Sequence, residues 1–347
     1  MIDALSAPIE VSLELTNKCN LSCIHCLQPS NIDDDILTLS EIADIANDLS
    51  KMGVFSVFLT GGEPLLRPDW YEIGIHLVSK GFVVGISTNG CLFTRDIARK
   101  IREGELYHAF QMSIDGSNEL VHDRIRGNGS FKNAMAGLSN LAKEGIYPNL
   151  AVTAMKYNLH DIKNIVELAI NHSLPHVHVM SLMPSGRAKD GFDSFEPTFL
   201  GWQKIEEQLK QILDENNGRI TIDWTNRSYS PSVDDLTDAD YSEIDRLFSG
   251  CPAGKSKAVI DASGNVFGCD LLKTNKFSAG NVRDTNFEDI WNNSKAFTSW
   301  RKRNQSTITG VCSDCKWVFA CVGGCPAKSV YRGYDIFYSD PDCPNYK

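Results

Sequence analysis

The stretch TNKCNLSCIHCLQPS carries Cys19, Cys23 and Cys26 in a C-x3-C-x2-C spacing. Thiolates set this closely ligate soft metals, and a closed zinc site or an ordinary iron–sulfur cluster takes four protein ligands. Three ligands leave one iron of a cluster with an open position, the mark of a catalytic metal rather than a structural one. TGGEP at 60–64 indicates what fills it. Gly61 and Gly62 let the backbone turn sharply and come close to a ligand. Glu63 then offers its carboxylate to an ammonium group, such as that of an α-amino acid.

A second cysteine-rich region lies near the other end. Cys251 and Cys269 flank Gly264, then Cys312, Cys315, Cys321 and Cys325 run as C-x2-C-x5-C-x3-C, and Cys343 follows. These seven are one short of the ligands for two closed tetrahedral sites or two fully ligated clusters. C-x2-C is also a zinc signature, but all-cysteine structural zinc sites take complete ligand sets. Cys91, the remaining one of eleven cysteines, fits no motif and reads as a small buried hydrophobe.

These groups need elements that bring them together. Strand patterns occur at 9–15, 54–59, 82–87, 107–114, 149–155 and 176–181, and helical patterns at 39–52, 69–80, 94–102, 130–143, 159–171 and 199–215. In the first helix Leu39, Ile42, Ile45, Ala46, Leu49 and Met52 recur at helical spacing, behind a capping box of Thr38 and Glu41. Six strand–helix units give a parallel sheet with helices outside it, either open and doubly wound or an incomplete barrel. In both, ligands sit at the carboxyl ends of the strands. The cysteine loop, TGGEP, STNG (87–90), SIDG (113–116) and MPSGR (183–187) all follow or end strands, so five loops converge on one face.

The bulk numbers agree with an ordinary globular chain. It has 347 residues, 42% of them hydrophobic, which allows one large core and a smaller module. The net charge of −10, with no basic run, argues against a nucleic-acid partner. The opening MIDALSAPIE has neither the basic nor the apolar region of a signal peptide. No apolar run approaches the ~18 residues that span a bilayer. The expectation is a cytoplasmic protein with no membrane partner. Residues 232–245 hold six acids and no Lys or Arg, which reads as a solvated linker. Beyond Cys251 helical patterns thin out, and a loop-rich module of that kind is expected to need metal staples.

Together, CNLSCIHC, TGGEP, STNG, SIDG, HDRIRG (122–127), the seven-cysteine pattern, GNV (280–282) and EDIW (288–291) resemble a radical S-adenosylmethionine (SAM) enzyme with a C-terminal SPASM domain. The resemblance covers nearly the whole chain. It implies an α/β fold, a partial (β/α)6 TIM-like barrel over 1–225, an acidic linker over 226–250 and a SPASM domain over 251–347. It implies three [4Fe–4S] clusters, one binding SAM through the open iron and two auxiliary.

By the same resemblance, His25 lies near the adenine, where the family usually has an aromatic ring. Gly61, Gly62 and Glu63 hold the amino end of SAM; Ser87, Asn89 and Ser113 contact ribose and methionine; Arg126 pairs with the SAM carboxylate. Cys312, Cys315, Cys321 and Cys343 hold the outer auxiliary cluster, and Cys251, Cys269 and Cys325 the inner one. A fourth inner ligand comes, in some members, from a cysteine six residues before Cys251. Here that position is Asp245, so the inner cluster takes Asp245 or keeps an open iron. Asp270 stands where sulfatase-maturing members have an aspartate that acts as a base.

The resemblance points to a peptide-modifying oxidoreductase that forms a crosslink or oxidises a side chain in a ribosomally made precursor peptide. A sulfatase-maturase-like modifier, or a dehydrogenase or epimerase of a sugar or other small molecule, is the alternative. The first strand begins near residue 9, which leaves no room for an N-terminal peptide-recognition domain, so a separate recognition protein, or very direct contacts with the peptide, is expected. An electron donor such as flavodoxin or ferredoxin is expected as a further partner.

Overall fold

The computed structural model describes residues 5–28, 35–216, 218–225, 250–315 and 317–343. The acidic segment and Asp245 lie outside the described residues. Strands β1 (Glu10–Thr16), β2 (Ser56–Gly61), β3 (Val83–Thr88), β4 (Ala109–Ser113), β5 (Asn149–Ala154), β6 (His176–Ser181) and β7 (Thr221–Thr225) pair in parallel in strict sequence order. The six expected strands are all present, and β7 adds a seventh.

Alternation along the strands decides between an open sheet and a barrel. Val11, Leu13 and Leu15 of β1, Val57 and Leu59 of β2 and Val84 and Ile86 of β3 pack against α1 (Leu39–Met52), α2 (Trp70–Ser79) and α3 (Arg95–Glu103) in one apolar core. Leu150, Val152, Val177 and Val179 pack likewise against α6 (Ile162–Asn171) and α7 (Phe199–Asn216). Helices therefore cover one face of the sheet, whereas a doubly wound sheet has them on both and reverses its strand order. Side chains alternate across a strand, so Ser12, Glu14, Ser87, Ser113, Thr153 and His178 share the other face, which becomes the interior of a partial barrel.

Local signals fix the ends of α1. The Thr38 hydroxyl accepts from the Glu41 N–H at 3.2 Å, the Glu41 carboxylate accepts from the Thr38 N–H at 2.7 Å, and Gly53 closes the helix at φ 79°. Two further helices, α4 (Glu119–Arg126) and α5 (Ser130–Lys143), follow β4.

The C-terminal region is not held by metal alone. Strand β8 (Lys257–Ile260) pairs in parallel with β1, and β9 (Asn265–Phe267) and β10 (Ser278–Asn281) continue the sheet in antiparallel fashion. Trp291, Phe297, Trp300 and Ile336 join the same apolar core as β1. These elements are three to seven residues long, too short to show a readable period, so the region looks loop-rich as sequence. No helix among the described residues is long and apolar enough to cross a membrane.

Candidate active site

Two loops grip the backbone of the first cysteine loop. The Gly62 N–H donates to the Thr16 carbonyl at 2.7 Å and the Glu63 N–H to the Lys18 carbonyl at 2.8 Å. Gly61 has φ 121°, and a Cβ on Gly62 would lie 2.1 Å from the Lys18 carbonyl oxygen, so this turn tolerates no side chain. From the opposite side, Arg187 donates from Nε to the Cys23 carbonyl at 2.8 Å, and from its backbone N–H to the Cys26 carbonyl at 3.0 Å. Gly62→Ala is therefore expected to force the two strand-end loops apart, costing about 1–3 kcal/mol and lowering iron content per chain. Iron analysis and thermal unfolding check this; parent values in both refute it.

Glu63 is fully buried. Its carboxylate accepts from the Thr88 hydroxyl at 2.8 Å, the Asn89 N–H at 2.9 Å and the Leu65 N–H at 3.4 Å. Burial pushes its pKa up to about 7, against the pull of those hydrogen bonds and of Arg126. No cation is in direct contact with it among the described residues. A buried carboxylate aimed by three neutral donors suits an incoming amino group.

Beside the cysteines lies a second buried network, centred on Asp115. Arg126 Nε donates to Asp115 Oδ2 at 2.6 Å, the Thr153 N–H donates to Oδ1 at 2.8 Å, and His25 Nε2 lies 3.5 Å from Oδ2. Burial lowers the His25 pKa to about 4, with Asp115 opposing, so the ring is neutral at pH 7. Its Nδ1 is a buried polar atom without a hydrogen-bond partner among the described residues. Burial works against the charge on Arg126, but Asp115, Cys23 and Cys26 outweigh it and hold the guanidinium protonated. Arg126 Nη1 lies 4.0 Å from Cys23 Sγ. The expected partner of a ligand carboxylate is thus already anchored by Asp115, with others of its five N–H donors left for a second anion.

The remaining expected contacts are dispersed around this centre. Asn89 braces the loops: its Nδ2 donates to Asn20 at 2.8 Å and its Oδ1 accepts from the Cys91 N–H at 2.9 Å. Ser87 and Ser113 stand on the interior face of β3 and β4. Cys91 packs beside the second apolar core, and burial raises its thiol to about 12.

The C-terminal cysteines sort into two sets in space. Burial raises the Cys269 thiol well up, and Cys251 and Cys325 push it the same way. Burial likewise raises Cys312 and Cys321; Cys343 and Cys315 act on the first, Cys312 and Cys343 on the second. Buried Arg303 is within reach of thiols from both sets, and it is fixed by donating to the Ile336 carbonyl at 2.7 Å and the Gly324 carbonyl at 3.2 Å.

The loop after Cys269 enters the barrel. Lys273 pairs with buried Glu14 on the interior face of β1. Tyr331 ties this loop to the barrel, donating to the Leu271 carbonyl at 2.6 Å with Ser185 Oγ also at 2.6 Å. Asp270 lies 3.2 Å from Lys257 Nζ, which also meets Glu10 at 3.2 Å.

The donor sets fit iron–sulfur clusters. A single tetrahedral zinc with Zn–S near 2.3 Å would hold its sulfurs roughly 3.8 Å apart. Among the described residues no three cysteine sulfurs lie within 4.8 Å of one another, whereas a four-iron cluster spreads its thiolates more widely. The unpartnered His25 Nδ1 and the buried Glu63 carboxylate fit a polar ligand beside the three-cysteine loop.

Comparison with known proteins agrees. Residues 13–184 match the model of the radical SAM superfamily, and residues 251–316 that of the SPASM iron–sulfur cluster-binding domain. Mycofactocin maturase MftC of Mycolicibacterium smegmatis is 31% identical over 350 residues, covering 98% of this chain and 83% of that protein. The chain belongs to the radical SAM/SPASM enzymes. An AdoMet-dependent heme synthase of Methanosarcina barkeri is 30% identical over 355 residues, covering 99% of this chain and 98% of that protein. Streptococcus suis SuiB bound to SAM shares the fold, with a TM-score of 0.81 at 17% identity over 99% of this chain and 79% of SuiB. As a radical SAM/SPASM enzyme the chain uses iron–sulfur clusters and SAM.

Several residues of the radical SAM site carry no role in the sequence reading: Asp115, Arg187, Thr88 and Lys273. The first three lie inside or beside the quoted SIDG, MPSGR and STNG motifs, which mark their location but not their partners. Lys273 has no motif to mark it, since its partner Glu14 is 259 positions away.

Proposed function

We infer that this radical SAM/SPASM enzyme matures a ribosomally made precursor peptide. The observation that carries the reading is the match to mycofactocin maturase along 98% of the chain. In this reading residues 1–225 form the SAM-cleaving barrel, 226–250 a linker and 251–347 the SPASM domain, with three [4Fe–4S] clusters. Cys19, Cys23 and Cys26 hold the first; Cys312, Cys315, Cys321 and Cys343 the outer auxiliary one; Cys251, Cys269 and Cys325 the inner one, whose fourth position is open or taken by Asp245. SAM and the first cluster, held there, would supply the one-electron chemistry that removes hydrogen from the peptide.

The chain's own groups orient that chemistry. Glu63 accepts from the amino end of SAM, Arg126 donates to its carboxylate, and Ser87, Asn89 and Ser113 line the approach. Neutral His25 offers Nδ1 to the adenine. Asp270, 3.2 Å from Lys257 Nζ, takes the proton that a substrate radical sheds when it is oxidised. A small ferredoxin- or flavodoxin-like protein is the electron donor, and a separate recognition protein delivers the peptide.

The heme-synthase similarity favours a second reading, a porphyrin substrate. The interior argues for the peptide. A porphyrin carries propionate carboxylates, while the interior face and its C-terminal loop present Glu10, Glu14, Asp223 and Asp270 against Lys257 and Lys273, both already paired.

Anaerobic incubation with SAM, reductant and a precursor peptide encoded beside the gene tests the proposal. A loss of about two hydrogens in the peptide mass supports it. An unchanged peptide, with an iron porphyrin supplied in a parallel reaction altered in mass instead, supports the second reading. In the same assay Asp270→Asn is expected to keep SAM cleavage while losing product about 10²-fold or more. Parent product yield removes the base role.

A further inference from the structure

His176, His178 and Asp223 form a group outside the SAM site and the cysteine sets. Parallel pairing puts His178 opposite Asp223, and His176 opposite Thr221. The strand period then turns all of these side chains to the interior face, away from Val177, Val179, Ile222 and Trp224 in the apolar core. His176 Nε2 lies 2.8 Å and His178 Nδ1 2.7 Å from the same oxygen, Asp223 Oδ1. These atoms are all within 4.8 Å of one another.

The far side of His176 is held by a hydroxyl: Nδ1 lies 2.8 Å from Thr221 Oγ1, which also lies 3.1 Å from the Pro175 carbonyl oxygen. His176 Nε2 and His178 Nδ1 both face the one Asp223 oxygen. An imidazole whose far nitrogen is oriented by a hydroxyl, next to a second imidazole and a carboxylate, is the donor set of a divalent transition metal with open positions.

We propose that His176 Nε2, His178 Nδ1 and Asp223 Oδ1 bind a divalent transition-metal ion of the zinc class, separate from the iron–sulfur clusters, with Thr221 orienting His176. The metal fastens β7, one edge strand of the described sheet, to β6 and turns its open coordination positions toward the barrel interior. Substrate donor atoms entering from that side have access to it.

The test uses anaerobic holoenzyme with its clusters in place, dialysed to equilibrium against buffered Zn2+, with zinc and iron counted per chain. The expected result is one zinc per chain at unchanged iron content, lost in His178→Ala and Asp223→Asn. Thr221→Val should bind about ten- to a hundredfold more weakly. Zinc retained at parent stoichiometry in these variants, or no stoichiometric zinc in the parent, overturns the site. A variant that misfolds would lose iron as well, so hydrogen exchange on the unmodified protein supplies a second reading. Zinc should slow exchange of the amides at 221–225, and no slowing overturns the proposal.

Discussion

Glu63→Gln is expected to weaken SAM binding by roughly thirtyfold or more, from the about 2–5 kcal/mol lost when one partner of a buried charged hydrogen bond is neutralised. The substitution keeps the size of the side chain but replaces one acceptor oxygen by a donor. The Thr88 hydroxyl, the Asn89 N–H and the Leu65 N–H all point at this group, so the new amide meets a donor wherever it turns. The pH dependence gives a second readout. Burial raises the folded pKa of Glu63 to about 7, above the ordinary 4.5. A carboxyl raised in this way contributes stability that is full below the ordinary value and is lost as pH rises through the folded one. Ligand-free protein should therefore lose stability from about pH 5 to pH 8, while SAM binding strengthens over the upper part of that range as the carboxylate forms. In Glu63→Gln both trends flatten. Calorimetric SAM titrations and thermal unfolding across pH decide it, and parent affinity with a parent pH profile in the variant removes Glu63 from the site.

Asp115→Asn is expected to be the most destabilising of the single changes considered. Asp115 is fully buried and Arg126 nearly so, and their 2.6 Å pair is the charge balance of the region. Burial alone would raise the Asp115 pKa, but Arg126, His25 and the Thr153 N–H hold it below its ordinary value. Its contribution is thus present above the ordinary carboxylate range and lost only as pH falls through the lower folded value. Removing one partner leaves a buried guanidinium uncompensated, at a cost of about 3–5 kcal/mol. For a chain of this size that lowers the melting temperature by on the order of 10 °C. The double variant Asp115→Asn with Arg126→Met should recover much of the loss, because removing both charges is close to neutral. If the double variant is no more stable than the single, the charge pair is not what holds this region.

The long elements were legible because their signals are local. Alternating strands such as EVSLELT, the apolar row of α1 and its capping box repeat a pattern over enough residues to be read without a partner. Strand β7, TIDWT, and helix α4, ELVHDRIR, carry no such local signal. The first is five residues long and is defined by its pairing with β6. The second is eight residues, and its first turn is fixed by Asn118 accepting from the Val121 N–H. Strand β8 exists because β1 offers it an edge, which no window around Lys257 reveals.

The sequence by itself determined the chemistry. Three cysteines rather than four in the first loop, Glu63 behind two glycines, and seven further cysteines carry the resemblance to the radical SAM/SPASM family, because ligand number and donor type are properties of composition and spacing. Tertiary structure alone decided how those groups are held. Asp115 joins Arg126, His25 and the Thr153 N–H; Arg187 reaches back 164 positions to the Cys23 carbonyl; and His176 and His178 meet Asp223 across two strands. All but the Asp115–Arg126 pair join residues far apart along the chain. They are fixed by strand order and by which face a side chain takes, and both follow from burying the apolar face of the whole sheet beneath its helices.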